Sequence, residues 1–115
     1  MKDRLSVMAK YILIESRDPF ESRDTSYFFD LAIRLARSEN KVTLFLVQNG
    51  VLPTRAGEHS LFFAELSRAG VEVVADSFSL KERGIAPARL ASGVQPAEID
   101  LVVDRLAEGR KVLWH

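Results

Sequence analysis

The chain has 115 residues, 47% of them hydrophobic and 28% charged, which is the composition of a globular protein with a single core. Sixteen basic residues balance sixteen acidic ones, so the charge pattern argues against binding to nucleic acid or to an anionic membrane. No apolar run approaches the roughly 20 residues of a membrane span, and no secretory signal is recognisable. We therefore expect one domain, residues 1–115, in the cytoplasm.

The hydrophobic pattern alternates between strand-like and helix-like segments. A nearly continuous apolar run at residues 9–15 predicts a strand that is buried on both faces. After a polar loop, apolar positions at helical spacing predict a helix that Asp24, Thr25 or Ser26 caps. In chain order, the predicted elements are strand 9–15, helix 24–38, strand 42–47, helix 58–69, strand 71–74, short helix 78–83, a long helix from Pro96 to Gly109 and strand 111–114.

This alternation predicts an α/β fold with three layers, α/β/α, around a mostly parallel sheet of four to five strands joined by right-handed crossovers. Pro96 suits the first turn of the long helix because proline lacks the N–H that is unpaired there. The apolar positions of that helix recur at the spacing of a stripe that faces the core. They are Ile99, Val102, Val103 and Leu106.

A polar corner follows the third predicted strand. Residues 71–74 run into Asp76-Ser-Phe-Ser79, and the short helix after them ends at Arg83-Gly84. Ligands bind open α/β sheets just past the carboxyl ends of the parallel strands. The corner therefore forms a candidate site together with the loop after the second strand, where Asn49-Gly50 permits a positive φ. The residues assigned to ligand binding are Asp76, Ser77, Ser79, Arg83, Asn49 and Gly50.

The corner also has a purely structural interpretation. Asp76 or Ser77 can cap the short helix, a role worth about 1 kcal/mol and the more common one at such a position. Arg83 can bind an anion through its planar fork, or it can pair with a nearby acid or with helix carbonyls. No Gly-x-Ser-x-Gly elbow and no glycine-rich phosphate loop occurs. We therefore assign no catalytic residue, metal or cofactor.

Other polar residues give weaker signals. His59 and His115 lack a metal-ligand spacing and are expected in solvent. Residues 54–57 are small and flexible by composition and are predicted to act as a flap. The first loop carries mixed charges that indicate a solvated segment, and only proximity to Asp76 would give them a role. These residues are Arg17, Asp18, Arg23 and Asp24.

The segment around the corner resembles the persulfide-site segment of the DsrE/DsrF-like (DsrEFH-like) sulfur-relay family. In that family a strand ends at a cysteine that lies eight residues before the glycine of a closing Arg-Gly pair. Arg83-Gly84 stand in place here, but Asp76 occupies the cysteine position, and the chain contains no cysteine. Shorter similarities in the same order cover almost the whole chain. They are Asn49-Gly-Val51, Arg83-Gly-Ile85, Gly93-Val94 and Lys111-Val-Leu113.

The resemblance implies a DsrE-like fold but not the relay reaction. A sulfur carrier needs a nucleophilic thiolate, and neither Asp76 nor Ser79 can form a persulfide. We therefore expect a binding or structural subunit linked to sulfur metabolism, with a cysteine-bearing partner that supplies the thiol. The alternative hypothesis is a small-ligand receptor or enzyme that uses Asp76 in the pocket where relatives carry the cysteine.

Aromatic pairs on two predicted helices suggest subunit contacts. Consecutive helical side chains point about 100° apart, so Phe28-Phe29 and Phe62-Phe63 cannot each bury both members in one core. One member of each pair is expected at the surface or in an interface. Family resemblance implies trimers or hexamers. We therefore expect a homo-oligomer, or a hetero-oligomer with related subunits.

Overall fold

A parallel sheet of five strands lies at the centre of the protein. The computed structural model describes residues 9–19 and 22–115. Within them the elements are β1 (Lys10–Glu15), α1 (Asp24–Arg37), β2 (Lys41–Leu46), a 3₁₀ segment (Gln48–Thr54), α2 (Ser60–Arg68), β3 (Glu72–Asp76), α3 (Ser77–Glu82), a 3₁₀ turn (Pro87–Arg89), β4 (Val94–Ala97), α4 (Ile99–Ala107) and β5 (Lys111–Trp114). No helix in this part of the chain is long and apolar enough to cross a membrane.

The strand order is β4-β3-β2-β1-β5, and every neighbouring pair is parallel. The chain therefore builds outward from β1 on one side, then returns across the sheet through α4 to add β5 on the other side of β1. Parallel strands need such crossover connections, since a tight turn cannot join them. The predicted three-layer α/β fold is confirmed.

The two faces of the sheet are covered unequally. On one face α1, α2 and α3 bury a large core in which Phe29, Phe63 and Leu80 pack against side chains of β1, β2 and β3. On the other face α4 is the only helix among the described residues, and the buried cluster there is small. Its buried members are Ile12, Ile14, Phe45, Val74 and Val102.

The predicted long helix from Pro96 is wrong at its start. Residues 94–97 form β4, which pairs with β3 at the edge of the sheet, and α4 begins only at Ile99. Proline lacks a backbone N–H, and an edge strand tolerates this because one of its sides has no neighbouring strand to bond. The sequence pattern missed β4 because four residues with a central Gln-Pro carry no strand periodicity.

The predicted core stripe of α4 is also wrong. Val102 is buried, but Ile99, Val103 and Leu106 are 57%, 59% and 45% exposed. On the same face of the sheet, β5 leaves Val112 and Trp114 exposed; their register partners are Ile12 and Ile14, which belong to the α4-side cluster. A single helix is too narrow to cover this face, so an apolar stripe stays open on it.

The aromatic pairs divide as expected. Phe29 and Phe63 are buried, whereas Phe62 is 40% exposed and Phe28 is only partly covered. The start of α1 differs from the prediction, because the residue before the helix is Arg23 and none of the described side chains caps the first turn. Thr25 is instead fully buried. At the end of α2, Gly70 has φ +96°, which suits a glycine just past a helix.

A polar network fixes α4 to the sheet. Arg105 of α4 donates to the carboxylate of Glu72 on β3, with a shortest distance of 2.9 Å, and Thr43 of β2 donates to the same carboxylate at 2.6 Å. Arg110 is buried beside them, where it donates to the Thr43 hydroxyl and to the Tyr11 carbonyl oxygen. Burial alone would raise the pKa of Glu72, but hydrogen bonds from Arg105 and Thr43 outweigh it and hold the pKa below the usual 4.5.

We expect Glu72→Gln to remove a pH-dependent part of the stability. The folded-state pKa lies below the unfolded one, so this contribution is present above 4.5 and is lost as the pH falls through the folded-state pKa. The pair is partly open to solvent, so we expect a loss of only about 1 kcal/mol at neutral pH. Urea unfolding at neutral and acidic pH measures it.

In the acidic series the difference between Glu72→Gln and the unaltered protein should disappear. Glu65→Gln on exposed α2 serves as the control, because no side-chain bond to Glu65 is present in the described residues. An equal loss in both variants, or a loss that persists in acid, would contradict the assigned role of Glu72.

Candidate functional site

Asp76 lies at the carboxyl end of β3 and is 7% exposed. Strand β3 extends two residues beyond its predicted end and delivers this carboxylate to the first turn of α3. Asp76 Oδ2 accepts hydrogen bonds from the Ser79 backbone N–H at 3.0 Å and from the Ser79 hydroxyl at 2.7 Å. The carboxylate therefore caps α3, as the structural interpretation predicted.

Ser79 links this corner to the loop after β2. Its hydroxyl oxygen accepts a hydrogen bond from the backbone N–H of Gln48 at 2.8 Å while it donates to Asp76. Gln48 has φ +54°, an uncommon conformation for a residue with a side chain. The positive φ after β2 is thus at Gln48, not at Asn49-Gly50, where the sequence analysis had allowed it. Gln48, Ser79 and Asp76 therefore form one continuous chain of hydrogen bonds.

Arg83 and Asn49 form the second half of the corner. The Nε and Nη2 groups of Arg83 donate to Asn49 Oδ1 at 3.2 and 3.1 Å, and Nη1 donates to the carbonyl oxygen of Ser79 at 3.2 Å. A weak ion pair with Glu82 at 3.7 Å adds to these contacts. The planar fork of the arginine is therefore directed at the protein itself, not at a free anion site.

Gly50 is required for a reason other than its conformation. It is buried, and a Cβ atom built on it would collide with the backbone carbonyl oxygen of Glu15. That oxygen also accepts a hydrogen bond from the Val47 N–H. The loop after β2 thus presses directly against the end of β1, and only glycine fits at the contact.

Glu15 is a second buried carboxylate at the same sheet edge, and it is 0% exposed. Its oxygens accept from the Arg17 backbone N–H at 3.0 Å and lie 2.9 and 3.0 Å from His115 Nδ1. The His115 ring also lies 5.5 Å from the Phe28 ring, centroid to centroid. His115 is therefore partly buried and paired, contrary to the expectation that it is solvated. The sequence could have pointed to Glu15, because it is a carboxylate at the end of a buried strand. Its partner, His115, could not be predicted, because only the pairing of β5 with β1 brings the two residues together.

A cleft of about 880 Å³ opens beside the predicted corner. It lies over the loops that follow the carboxyl ends of β1, β2 and β3, the edge where open α/β sheets bind ligands. Asp76, Ser79 and Arg83 do not line it. The polar residues that line it are Asp18, Arg55, Glu58, His59 and Arg89.

A smaller apolar groove of about 420 Å³ adjoins this cleft. Gly84, Ile85 and Ala86 line both cavities, and Ser77 lies in the groove beside Leu80. Of the predicted set, only Ser77 lines either of these two cavities. The other five residues are brought together as predicted, but their hydrogen bonds or their packing tie them to one another or to neighbouring backbone.

The sequence missed the cleft because its residues come from distant segments. Asp18 is 8% exposed, although its loop was expected to be solvated, and His59 is only partly exposed. Residues 54–57, the predicted flap, are held by hydrogen bonds from Ala56 N–H to the Arg89 carbonyl and from Ala91 N–H to the Thr54 carbonyl. The loop is therefore a fixed wall of the cleft. In the described residues no group of three or more His, Asp or Glu side chains could hold a metal ion.

The sequence model of the DsrE/DsrF-like family matches residues 8–115, almost the whole chain. The chain belongs to this family. The family as a whole is linked to sulfur relay, but this chain contains no cysteine. No curated protein sequence gives a significant match.

Solved structures show the same DsrE-like fold. The ychN protein from E. coli is 22% identical, with a TM-score of 0.81 over 92% of this chain and 99% of its own. The protein of unknown function MTH1491 from Methanobacterium thermoautotrophicum is 22% identical, with a TM-score of 0.74 over 95% of this chain and 100% of its own. BT1422 from Bacteroides thetaiotaomicron, also of unknown function, is 16% identical, with a TM-score of 0.72 over 92% and 94% of the two chains.

Proposed function

We propose that this DsrE-family chain is a non-catalytic binding or structural subunit linked to sulfur metabolism, and that a cysteine-bearing partner supplies the thiol. The observation that carries the proposal is the hydrogen-bonded chain Asp76–Ser79–Gln48. In this chain of bonds the buried carboxylate of Asp76 occupies the position of the family cysteine, and its hydrogen bonds stabilise the corner. Persulfide chemistry needs a thiolate, and this chain has none.

The open stripe on the α4 face supports assembly with a second copy of this chain. We define the α4–β5 surface as Ile99, Val103, Leu106, Val112 and Trp114, all between 44% and 69% exposed. Parallel sheets are normally covered on both faces, and within residues 9–19 and 22–115 this face has one helix. Exposed apolar surface of this kind marks an interaction site.

Charge does not oppose self-association. The chain has formal net charge +0, and a net charge near zero promotes association between copies. In the part of the chain that the structure describes, β5 is also an edge strand, with one side free of neighbouring strands. A homo-oligomer of the trimer or hexamer type that the family resemblance implied is therefore the first assembly to test, followed by mixed oligomers with related subunits.

Sedimentation velocity over a range of protein concentrations tests the proposed assembly. We expect the unaltered protein to sediment as an oligomer and Val103→Asp to shift it to the monomer, because a buried charge without a partner costs several kcal/mol at an interface. Val103 is 59% exposed in the single chain, so the substitution should leave the fold intact.

Leu61→Asp provides the matched control. Leu61 is 83% exposed on α2, which covers the opposite face of the sheet, so this variant should keep the oligomer. A monomeric unaltered protein would contradict self-assembly through the α4–β5 surface. Native mass spectrometry of mixtures with cysteine-bearing DsrE-family proteins then tests the partner, and the absence of any mixed complex would contradict the subunit role.

The cleft favours a second candidate function, a small-ligand receptor. Its position over the carboxyl ends of β1, β2 and β3 is where such sites occur. The residues that would serve it are those of the cleft wall, because Asp76 does not line it. A retained small molecule in the native mass spectrum, lost on change of the cleft wall but not of Asp76, would favour this function.

A further inference from the structure

Two arginines stand on one wall of the cleft. Arg55 and Leu90 form an antiparallel bridge, and the bonds Ala56 N–H to Arg89 carbonyl and Ala91 N–H to Thr54 carbonyl, both 2.7 Å, flank it. The backbones that carry Arg55 and Arg89 are thus fixed next to each other, and both side chains line the cleft.

Neither guanidinium is used by the fold. Within residues 9–19 and 22–115, no side-chain hydrogen bond or ion pair joins Arg55 or Arg89 to another residue, and both are exposed. By contrast, all three guanidinium nitrogens of Arg83 donate hydrogen bonds to Asn49 or Ser79. Two free guanidinium groups on adjoining backbone segments offer the planar donors that carboxylate and phosphate groups accept in pairs.

The cleft also carries two carboxylates and a histidine. Asp18 and His59 are already engaged in interactions within the protein, and Asp18 is buried. Glu58 is the exposed carboxylate of the wall. Counted formally, Asp18 and Glu58 balance the two arginines, but Glu58 is the carboxylate that is exposed beside them.

Apolar side chains complete the lining of the cleft. Leu52, Pro53, Ile85 and Ala86 line it, and the last two continue into the adjoining apolar groove. We infer that the cleft binds a small organic anion, whose carboxylate or phosphate group is held by Arg55 and Arg89 and whose apolar part lies on Ile85 and its neighbours. This inference deepens the receptor function and does not depend on the assembly.

Phenyl phosphate is a simple probe for this site, and amide chemical shifts in ¹H–¹⁵N NMR spectra report its position. We expect saturable shifts at Arg55, Ile85 and Arg89 with a dissociation constant of about 1 mM, the range for so small a ligand. The double variant Arg55→Gln/Arg89→Gln should bind at least tenfold more weakly. Its spectrum also reports that the fold is kept, which the exposure of both side chains favours.

Arg37→Gln and benzyl alcohol are the controls. Arg37 is exposed at the end of α1, at the opposite edge of the sheet, so its loss should leave phenyl phosphate binding unchanged. Benzyl alcohol has the ring but no charge and should not shift the arginine amides. The inference is overturned by shifts that avoid the cleft, by equal binding of the double variant, or by equal binding of benzyl alcohol. Self-association, read by sedimentation, is unaffected by any of these outcomes.

Discussion

Replacement of Gly50 by alanine is expected to lower the free energy of unfolding by about 3 kcal/mol, the upper range for over-packing of a rigid site. The new Cβ would collide with the carbonyl oxygen of Glu15, a backbone atom that cannot turn aside as a side chain can. The same oxygen accepts the Val47 N–H, so any movement of β1 away from the loop also weakens that bond. Thermal and urea unfolding measure the loss.

Gly70→Ala is the matched control for this prediction. Gly70 has φ +96° but no atom within 4 Å of a built Cβ, so alanine there meets only backbone strain, about 1 kcal/mol. Gly50 does not have a positive φ. Without the collision, alanine at this position would stabilise the protein slightly by restricting the unfolded chain. A Gly50→Ala variant as stable as Gly70→Ala would contradict the close contact with Glu15.

Asp76→Cys is expected to create the reactivity that the unaltered chain lacks. The Ser79 N–H and hydroxyl, which now donate to Asp76, would donate to a thiolate and lower its pKa below the usual value of about 8.5. With thiosulfate, the thiolate attacks the outer sulfur, the S–S bond of thiosulfate breaks, and sulfite leaves with the bonding electrons. Mass spectrometry should show one added sulfur atom, and none on the unaltered protein.

Ser92→Cys gives an exposed thiol for comparison. The rate of alkylation against pH measures both thiol pKa values, and we expect the thiol of Asp76→Cys to titrate about one unit lower. The new thiol is less accessible because Asp76 is 7% exposed, so small reagents are needed. A pKa equal to or above that of Ser92→Cys would show that the corner does not favour a sulfur anion.

Much of the fold could be predicted from the sequence because the information is local. Continuous apolar runs marked β1, β2 and β3, and Gly70 marked the end of α2. The misassigned region, residues 94–97, is short and proline-containing, and only its pairing with β3 makes it a strand. Likewise, Val102 is buried whereas Ile99 and Val103 are exposed, and this difference depends on how much of the sheet one helix can cover.

The candidate site shows the same division. Strand ends and turn residues placed Asp76, Ser79, Arg83 and Asn49 in one corner, and the capping role of Asp76 was foreseen. The sequence could not predict the hydrogen-bond partners of these side chains. Gln48 and Ser79 lie 31 residues apart along the chain, and Asn49 and Arg83 lie 34 residues apart. The cleft could not be predicted, because it forms only when three loops from distant parts of the chain reach their final positions.

By itself the sequence determined the α/β class, the family and the absence of a thiol, since these follow from periodicity, short motifs and residue counts. The tertiary structure decided that Asp76 serves the fold, that Gly50 is needed for space, and that Arg55 and Arg89 stand together over an open cleft. The physical reason is that a side chain's role depends on which polar partners reach it, and long-range packing alone decides which of them do.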